Sequence, residues 1–204
     1  MRAAARRSGD PRPLIVRIGV FGGTFDPPHV GHLLLAADAF DGLSLDKLIF
    51  VPAAAQPFKV ETPAVAAAED RLEMVQLAVA EDRRYAVEDT EIRREGLSYT
   101  VDTLEELARK NAGASLFLLI GQDTLDGFNG WKKPERIRQL ATVAMMRRAG
   151  SSEGKAPPGV AEISTRRVDV SSTEIRARLS AGKSIRGFVP ESVERYIASR
   201  GLYR

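Results

Sequence analysis

Leu14–Gly23 reads LIVRIGVFGG, and Thr24–His32 continues it as TFDPPHVGH. The first segment is apolar and β-branched, broken only by Arg17, and it stops on two glycines. That pattern predicts a buried strand running into a tight turn. After Pro27-Pro28, HVGHLLLAADAF reads as a helix from about Val30 to Phe40. Proline fits there because the first helical N–H groups need no partner within the helix.

The same alternation repeats downstream. KLIFVP (Lys47–Pro52) predicts a strand, and Ala66–Ala80 a helix with Leu72, Val75 and Val79 on one side. Tyr85–Asp89 reads as a short strand. Ser98 is placed to cap a helix that carries Val101, Leu104, Leu107 and Ala108 at helical spacing. SLFLLIG (Ser115–Gly121) is the strongest strand, followed by a short helix PERIRQL and a buried strand ATVAMMRR. Glu162–Val170 predicts an edge strand, Ser171–Gly182 a helix, and Pro190 to about Arg200 a last helix stopped by Gly201. Strands apolar on both faces, alternating with helices, predict a doubly wound α/β fold: a mostly parallel sheet covered on both sides, with a small helical part at the C-terminus. Ligands of such folds bind beyond the carboxyl ends of the strands, here after Gly22, Pro52, Asp89, Gly121 and Val170.

Composition bounds the rest. The chain has 204 residues, 44% hydrophobic and 28% charged. That supports a packed core and argues against wholesale disorder. Residues 14–204 read as a single domain. No apolar run reaches the roughly 18 residues of a membrane span. There is no cysteine, so disulfides, zinc ribbons and a thiol nucleophile are excluded, and a cytoplasmic location is expected. The formal charge is +3, but the first 17 residues hold five arginines against Asp10. The body is therefore close to neutral, and nucleic acid is disfavoured as main partner. Residues 1–13 read as a disordered basic tail without the apolar stretch of a twin-arginine signal.

Chemistry concentrates after the first strand. Gly22 and Gly23 allow the backbone to approach a ligand closely. The following helix points free N–H groups at that turn, an arrangement that suits an anion. His29 and His32, the chain's two histidines, fall on one face of the first helical turn. They suit phosphate binding, or else cap the helix or sit in the core. The turn matches neither G-x-G-x-x-G nor the P-loop pattern. A second anion site is readable in VSSTEIR (Val170–Arg176). Ser171 and Glu174 form an S-x-x-E capping pattern, Ser172 and Thr173 add hydroxyls, and Arg176 adds a bidentate fork. A plain capped helix with a surface arginine fits the same residues.

GGTFDPPHVGH resembles the signature of the nicotinate-nucleotide adenylyltransferase family, in the nucleotidyltransferase superfamily. VSSTEIR, SYTVDTLEEL, GQDTLDGFNGW and FVPESVERYIASRGLY are similar to further segments of that family, so the resemblance runs from about Ile15 to Tyr203. It departs at QPFK (Gln56–Lys59), where Phe58 stands in place of a frequent histidine. The resemblance implies a Rossmann-like nucleotidyltransferase fold. It implies adenylyl transfer from ATP to nicotinate mononucleotide, in NAD biosynthesis, with Mg2+ carried mainly by the ATP phosphates and no protein metal ligand. His29, His32 and Arg176 are the implied catalytic residues. Gly22, Gly23, Thr24, Lys59, Gly121, Asp123, Ser172 and Thr173 are implied for ATP, and Thr100, Trp131 and Lys132 for the pyridine nucleotide. Asp123 as a helix cap and Trp131 as a core residue remain open on the sequence. So do a nicotinamide or phosphopantetheine acceptor, a non-catalytic nucleotide-sensing module, and assembly into a homo-oligomer.

Overall fold

A computed structural model describes residues 15–57, 63–149 and 156–204; the expected tail at 1–13 and Lys59 lie outside them. Its strands are β1 (Arg17–Gly23), β2 (Lys47–Pro52), β3 (Tyr85–Val87), β4 (Ser115–Gly121), β5 (Ala141–Arg148) and β6 (Ala161–Thr165). They form one sheet in the order β3-β2-β1-β4-β5-β6. Every pairing is parallel, as continuous apolar strands dictate.

Side chains alternate across the sheet with period two. Phe21, Leu48, Phe50, Phe117 and Leu119 face one layer, where Ala36 and Ala39 of α1 (Val30–Gly42) and Val75 and Val79 of α2 (Ala68–Val79) cover them. Ile18, Val20, Ile49, Val51, Leu116, Leu118 and Ile120 face the other. There α3 (Thr90–Arg94) precedes α4 (Thr100–Lys110), which buries Val101, Leu104 and Leu107. Next come α5 (Gln122–Leu125), a 3-10 turn at Phe128–Gly130 and α6 (Pro134–Leu140), with Ile137 buried. Each such aliphatic or phenyl side chain contributes about 1.5–3 kcal/mol on full burial. A third cluster packs α7 (Ser172–Ser180) and α8 (Glu191–Arg200) onto α2 through Met74, Ile175, Val193, Ile197 and Tyr203.

The chain winds outward from β1 to β3, then returns to place β4 on the other side of β1. This reversal opens a crevice at the carboxyl ends of β1 and β4. The register pairs Val20 with Leu118, so Gly23 lies level with Gly121. No helix among the described residues is long and apolar enough to cross a membrane.

Three local expectations need correction. Tyr99, not Ser98, is the N-cap of α4. Ser98 accepts instead from the Ala54 N–H at 2.9 Å and donates its own N–H to the Ala55 carbonyl at 2.8 Å. The buried face of α2 runs through Arg71, Met74, Val75 and Val79, with Leu72 only half-buried. The edge strand β6 ends at Thr165, five residues early; Arg166 turns to Asp38 of α1 in a doubly bonded ion pair.

Candidate active site

β1 delivers Gly22 and Gly23 to the crevice. Gly22 is exposed, and a Cβ there would meet nothing within 4 Å. At Gly23 a Cβ would stand 2.9 Å from the Phe25 ring. Only glycine leaves room for Phe25, which is buried at a left-handed φ of 50°. Such a φ is costly for a bulky residue and persists because packing holds it. The Phe25 ring lies edge-on to His32 at 5.0 Å and packs against Phe21 and Phe50.

His29 is the N-cap of α1 and His32 sits one turn in. Their rings stack at 3.8 Å, so the structure does bring them together. Gly31 permits this, since a Cβ there would meet His29 Nδ1 at 2.9 Å. The His29 backbone N–H donates to His32 Nδ1 at 3.2 Å. Nδ1 is therefore an acceptor, and the neutral His32 ring carries its proton on Nε2. Burial lowers the pKa of His29 to about 4. Burial and then the neighbouring His29 charge push His32 well below the ordinary histidine value. Both rings are neutral at pH 7, offering N–H dipoles rather than charges.

Two atoms at this turn lack partners among the described residues: Thr24 Oγ1 and His29 Nδ1, both buried. An unpaired buried polar group costs about 1–3 kcal/mol, and a ligand that pairs with it recovers that energy. The gap sits where an anion would meet the N-terminal end of α1.

The second anion segment is strapped to the same turn. Ser171 caps α7 by accepting from the Glu174 N–H at 3.1 Å, as its spacing predicts. Ser172 Oγ donates to the Pro27 carbonyl at 2.8 Å, so its donor fixes the turn. Arg176 donates from Nη1 to the Asp26 carbonyl at 2.7 Å and from Nη2 to Thr173 Oγ1 at 3.3 Å. Across the crevice, Gly121 is the N-cap of α5, and Asp123 is exposed in its first turn rather than serving as a cap. Thr100 opens α4. Trp131 is half-buried, 5.3 Å from the Phe128 ring, and its backbone N–H donates to the Phe128 carbonyl at 3.1 Å. Lys132 pairs with Asp102 at 2.9 Å and lies over the Tyr99 ring.

Three residues absent from the sequence reading hold this geometry. Arg71, 1% exposed, donates to the carbonyls of Thr24 (2.8 Å), Ala53 (2.6 Å), Ala54 (3.0 Å) and Ala66 (3.3 Å). It joins the turn after β1, the loop after β2 and the entry to α2. Asp26, 4% exposed, accepts from the N–H groups of Val65 and Ala66 and from the Tyr203 hydroxyl. Glu91 of α3 is buried, its pKa raised by that burial, and accepts from Thr103 Oγ1 at 2.7 Å. It steadies the segment from Ser98 to Thr103. Of the three, Arg71 carries a sequence signal: it falls four and eight residues before Val75 and Val79, in line with the apolar stripe.

A cytidylyltransferase-like family model matches residues 20–178. A probable nicotinate-nucleotide adenylyltransferase of Thermus thermophilus is 48% identical over 93% of this chain and 100% of its own length. One of Gemmatimonas aurantiaca is 46% identical over 93% of each chain. In fold, the chain is similar to the Plasmodium falciparum nicotinic acid mononucleotide adenylyltransferase solved with APC. The TM-score is 0.72 at 17% identity, over 92% of this chain and 97% of that one. The same Plasmodium protein has also been solved with NaAD, with a TM-score of 0.70 at 16% identity over the same shares of the two chains. By sequence, therefore, and in agreement with its sheet order and paired histidines, the chain belongs to the nicotinate-nucleotide adenylyltransferase family of cytidylyltransferase-like proteins.

Proposed function

We propose that residues 14–204 form one domain that transfers the adenylyl group of MgATP to nicotinate mononucleotide. The products are nicotinate adenine dinucleotide and pyrophosphate, a step of NAD biosynthesis. The observation that carries this reading is the neutral, stacked His29–His32 pair beside an unpartnered Thr24 hydroxyl, at the end of β1. The family's relatives supply the reaction type, and the Plasmodium protein's complex with NaAD supplies the kind of product.

The acceptor's own phosphate is the nucleophile. It is already ionised at pH 7, so no protein base is required. One of its oxygens bonds to the α-phosphorus while the bond to the β-phosphate oxygen breaks, and pyrophosphate carries the electron pair away. Positioning and charge stabilisation then account for the catalysis. His32 Nε2–H and His29 donate to the phosphate chain where negative charge grows. Thr24 Oγ and the N–H groups behind Gly22 and Gly23 hold the same region, and Arg176 with Thr173 holds the β,γ end. Lys59, outside the described residues, is assigned to the phosphates as well. Asp123 accepts from the ATP ribose. Trp131 stacks on the pyridinium, with Thr100 and Lys132 at the same side.

Among the described residues, no group of three or more histidines or acids could hold a metal ion. The donors at the turn are N–H and O–H groups, which fits magnesium arriving on the nucleotide, bound by phosphate oxygens and water. Bound so, it would supply positive charge to the leaving pyrophosphate. The reading includes a cytoplasmic enzyme, supported by a chain without cysteine. Purified protein, MgATP and three acceptors in parallel test it, with products separated by chromatography. Nicotinate mononucleotide, nicotinamide mononucleotide and phosphopantetheine are the acceptors, and the expected product is nicotinate adenine dinucleotide. No dinucleotide from any acceptor would overturn the reading.

A further inference from the structure

We infer that Tyr203 is a positioning residue for the phosphate turn, keeping Arg176 directed at ATP by occupying the Asp26 carboxylate. This rests on the assignment of Arg176 to ATP made above.

Asp26 and Tyr203 are 177 positions apart in sequence, yet the Tyr203 hydroxyl donates to Asp26 Oδ1 at 2.7 Å. Both are buried. The ring is held from the backbone side too, because Ser180 Oγ donates to the Tyr203 carbonyl at 3.2 Å. Oδ1 also accepts from the Ala66 N–H at 3.1 Å, and Oδ2 from the Val65 N–H at 2.7 Å. Three donors leave the carboxylate about one of its four acceptor sites and offset most of its charge. Arg176 shows the consequence. Its Nη1 stands 3.8 Å from Oδ2, outside hydrogen-bond distance, and bonds the Asp26 backbone carbonyl at 2.7 Å instead. The guanidinium thus lies against the turn without collapsing onto the acid.

Removing the Tyr203 hydroxyl changes that balance. Oδ1 loses a buried donor, and the carboxylate is left with more demand for Arg176, whose Nη1 already stands 3.8 Å from Oδ2. A shift of about 1 Å closes a full ion pair with Asp26, since such bonds form at about 2.7–2.9 Å. The guanidinium then turns inward from the phosphates. Burial and the bond to Asp26 push the phenol pKa far up, so the hydroxyl keeps its proton and remains a donor across the working range.

The test is Tyr203→Phe, which removes one oxygen and keeps the ring. KM for MgATP should rise about five- to tenfold, the scale of one lost hydrogen bond. KM for nicotinate mononucleotide should stay within twofold. In an Arg176→Lys background, Tyr203→Phe should add less than twofold, because the residue it positions is already altered. Ser180→Ala serves as the control that loosens the same segment without touching Asp26; it should leave KM for MgATP within twofold. An unchanged KM for MgATP, an equal rise for both substrates, or a full effect in the Arg176→Lys background would overturn the inference. If Tyr203→Phe does not fold, Tyr203→Met removes the same donor and keeps an apolar side chain in its place, with the same selective rise in KM for MgATP expected and an equal rise for both substrates overturning the inference. Wild-type turnover separates the two levels. If the wild type makes no dinucleotide, the functional reading fails, and calorimetric binding of α,β-methylene-ATP to wild type and Tyr203→Phe then tests Tyr203 alone. A loss of five- to tenfold in affinity supports it, and equal affinity overturns it.

Discussion

Replacing Arg71 with methionine keeps most of the side chain's volume and removes all its donors. Four carbonyls lose a partner: Thr24, Ala53, Ala54 and Ala66. Ala53 and Ala66 are buried, whereas Thr24 and Ala54 are only half-buried and can turn to water. Two stranded carbonyls cost about 1–3 kcal/mol each. Part of this is returned, because a desolvated cation has been removed; burial already disfavours the charged form of Arg71. The net expectation is a loss of about 2–5 kcal/mol, a large share of a typical folding stability. For a chain of this length that lowers Tm by about 5–20 °C. Thermal unfolding followed by circular dichroism, with urea titration as a second measure, reads the change. Arg71→Lys should recover less than half, because an ammonium offers three donors and no planar fork. A Tm for Arg71→Met within about 2 °C of wild type would refute the reasoning and reduce Arg71 to a bystander.

Three further outcomes follow from the site. His32→Ala should lower kcat by on the order of 10²-fold in steady-state assays, the scale for one preorganised donor; a folded variant with near-full kcat would remove His32 from the mechanism. Trp131→Ala should raise KM for the pyridine nucleotide and leave KM for ATP near wild type, since stacking is worth roughly 0.5–2 kcal/mol. Equal effects on both substrates, or unfolding, would return Trp131 to a packing role beside Phe128. The third outcome concerns pH. His29 stays neutral in the folded chain down to about pH 4, whereas an unfolded histidine takes up a proton near pH 6.5. Between those values the unfolded state binds more protons, so stability falls as pH drops through that window. His29→Asn should flatten the decline of Tm between pH 6.5 and 4.5, and an unchanged slope would contradict the assignment.

Much of the fold was legible because β1, β2 and β4 are buried on both faces, which forces apolar residues into consecutive positions. The boundaries of β2 and β4 fall where KLIFVP and SLFLLIG begin and end. Thr90–Arg94 was not legible as a helix. At five residues it is too short to show a 3.6-residue period, and it is held by Glu91 contacting Thr103. Ser98 has the chemistry of a cap but spends it on Ala54 and Ala55, a tertiary contact that overrides local preference. In the site, the Gly-Gly turn and the two histidines carry local spacing and were readable. Asp26 and Tyr203 were not, since no period links residues so far apart. Arg71 lies on the buried stripe of α2 but is charged, so it adds nothing to an apolar period.

Acceptor choice tests the central claim most directly. Nicotinate and nicotinamide mononucleotides differ by a carboxylate against a carboxamide. Backbone N–H groups around Lys132, which we assign to the ring carboxylate, would pair with the first and leave the amide NH2 facing donors, a mismatch of about 1–3 kcal/mol. Steady-state kinetics with each nucleotide at one saturating MgATP concentration give the two values of kcat/KM. The predicted result is a preference for nicotinate mononucleotide of about tenfold or more. Equal efficiency, or a preference for the amide, would contradict nicotinate mononucleotide as the preferred acceptor and leave adenylyl transfer standing.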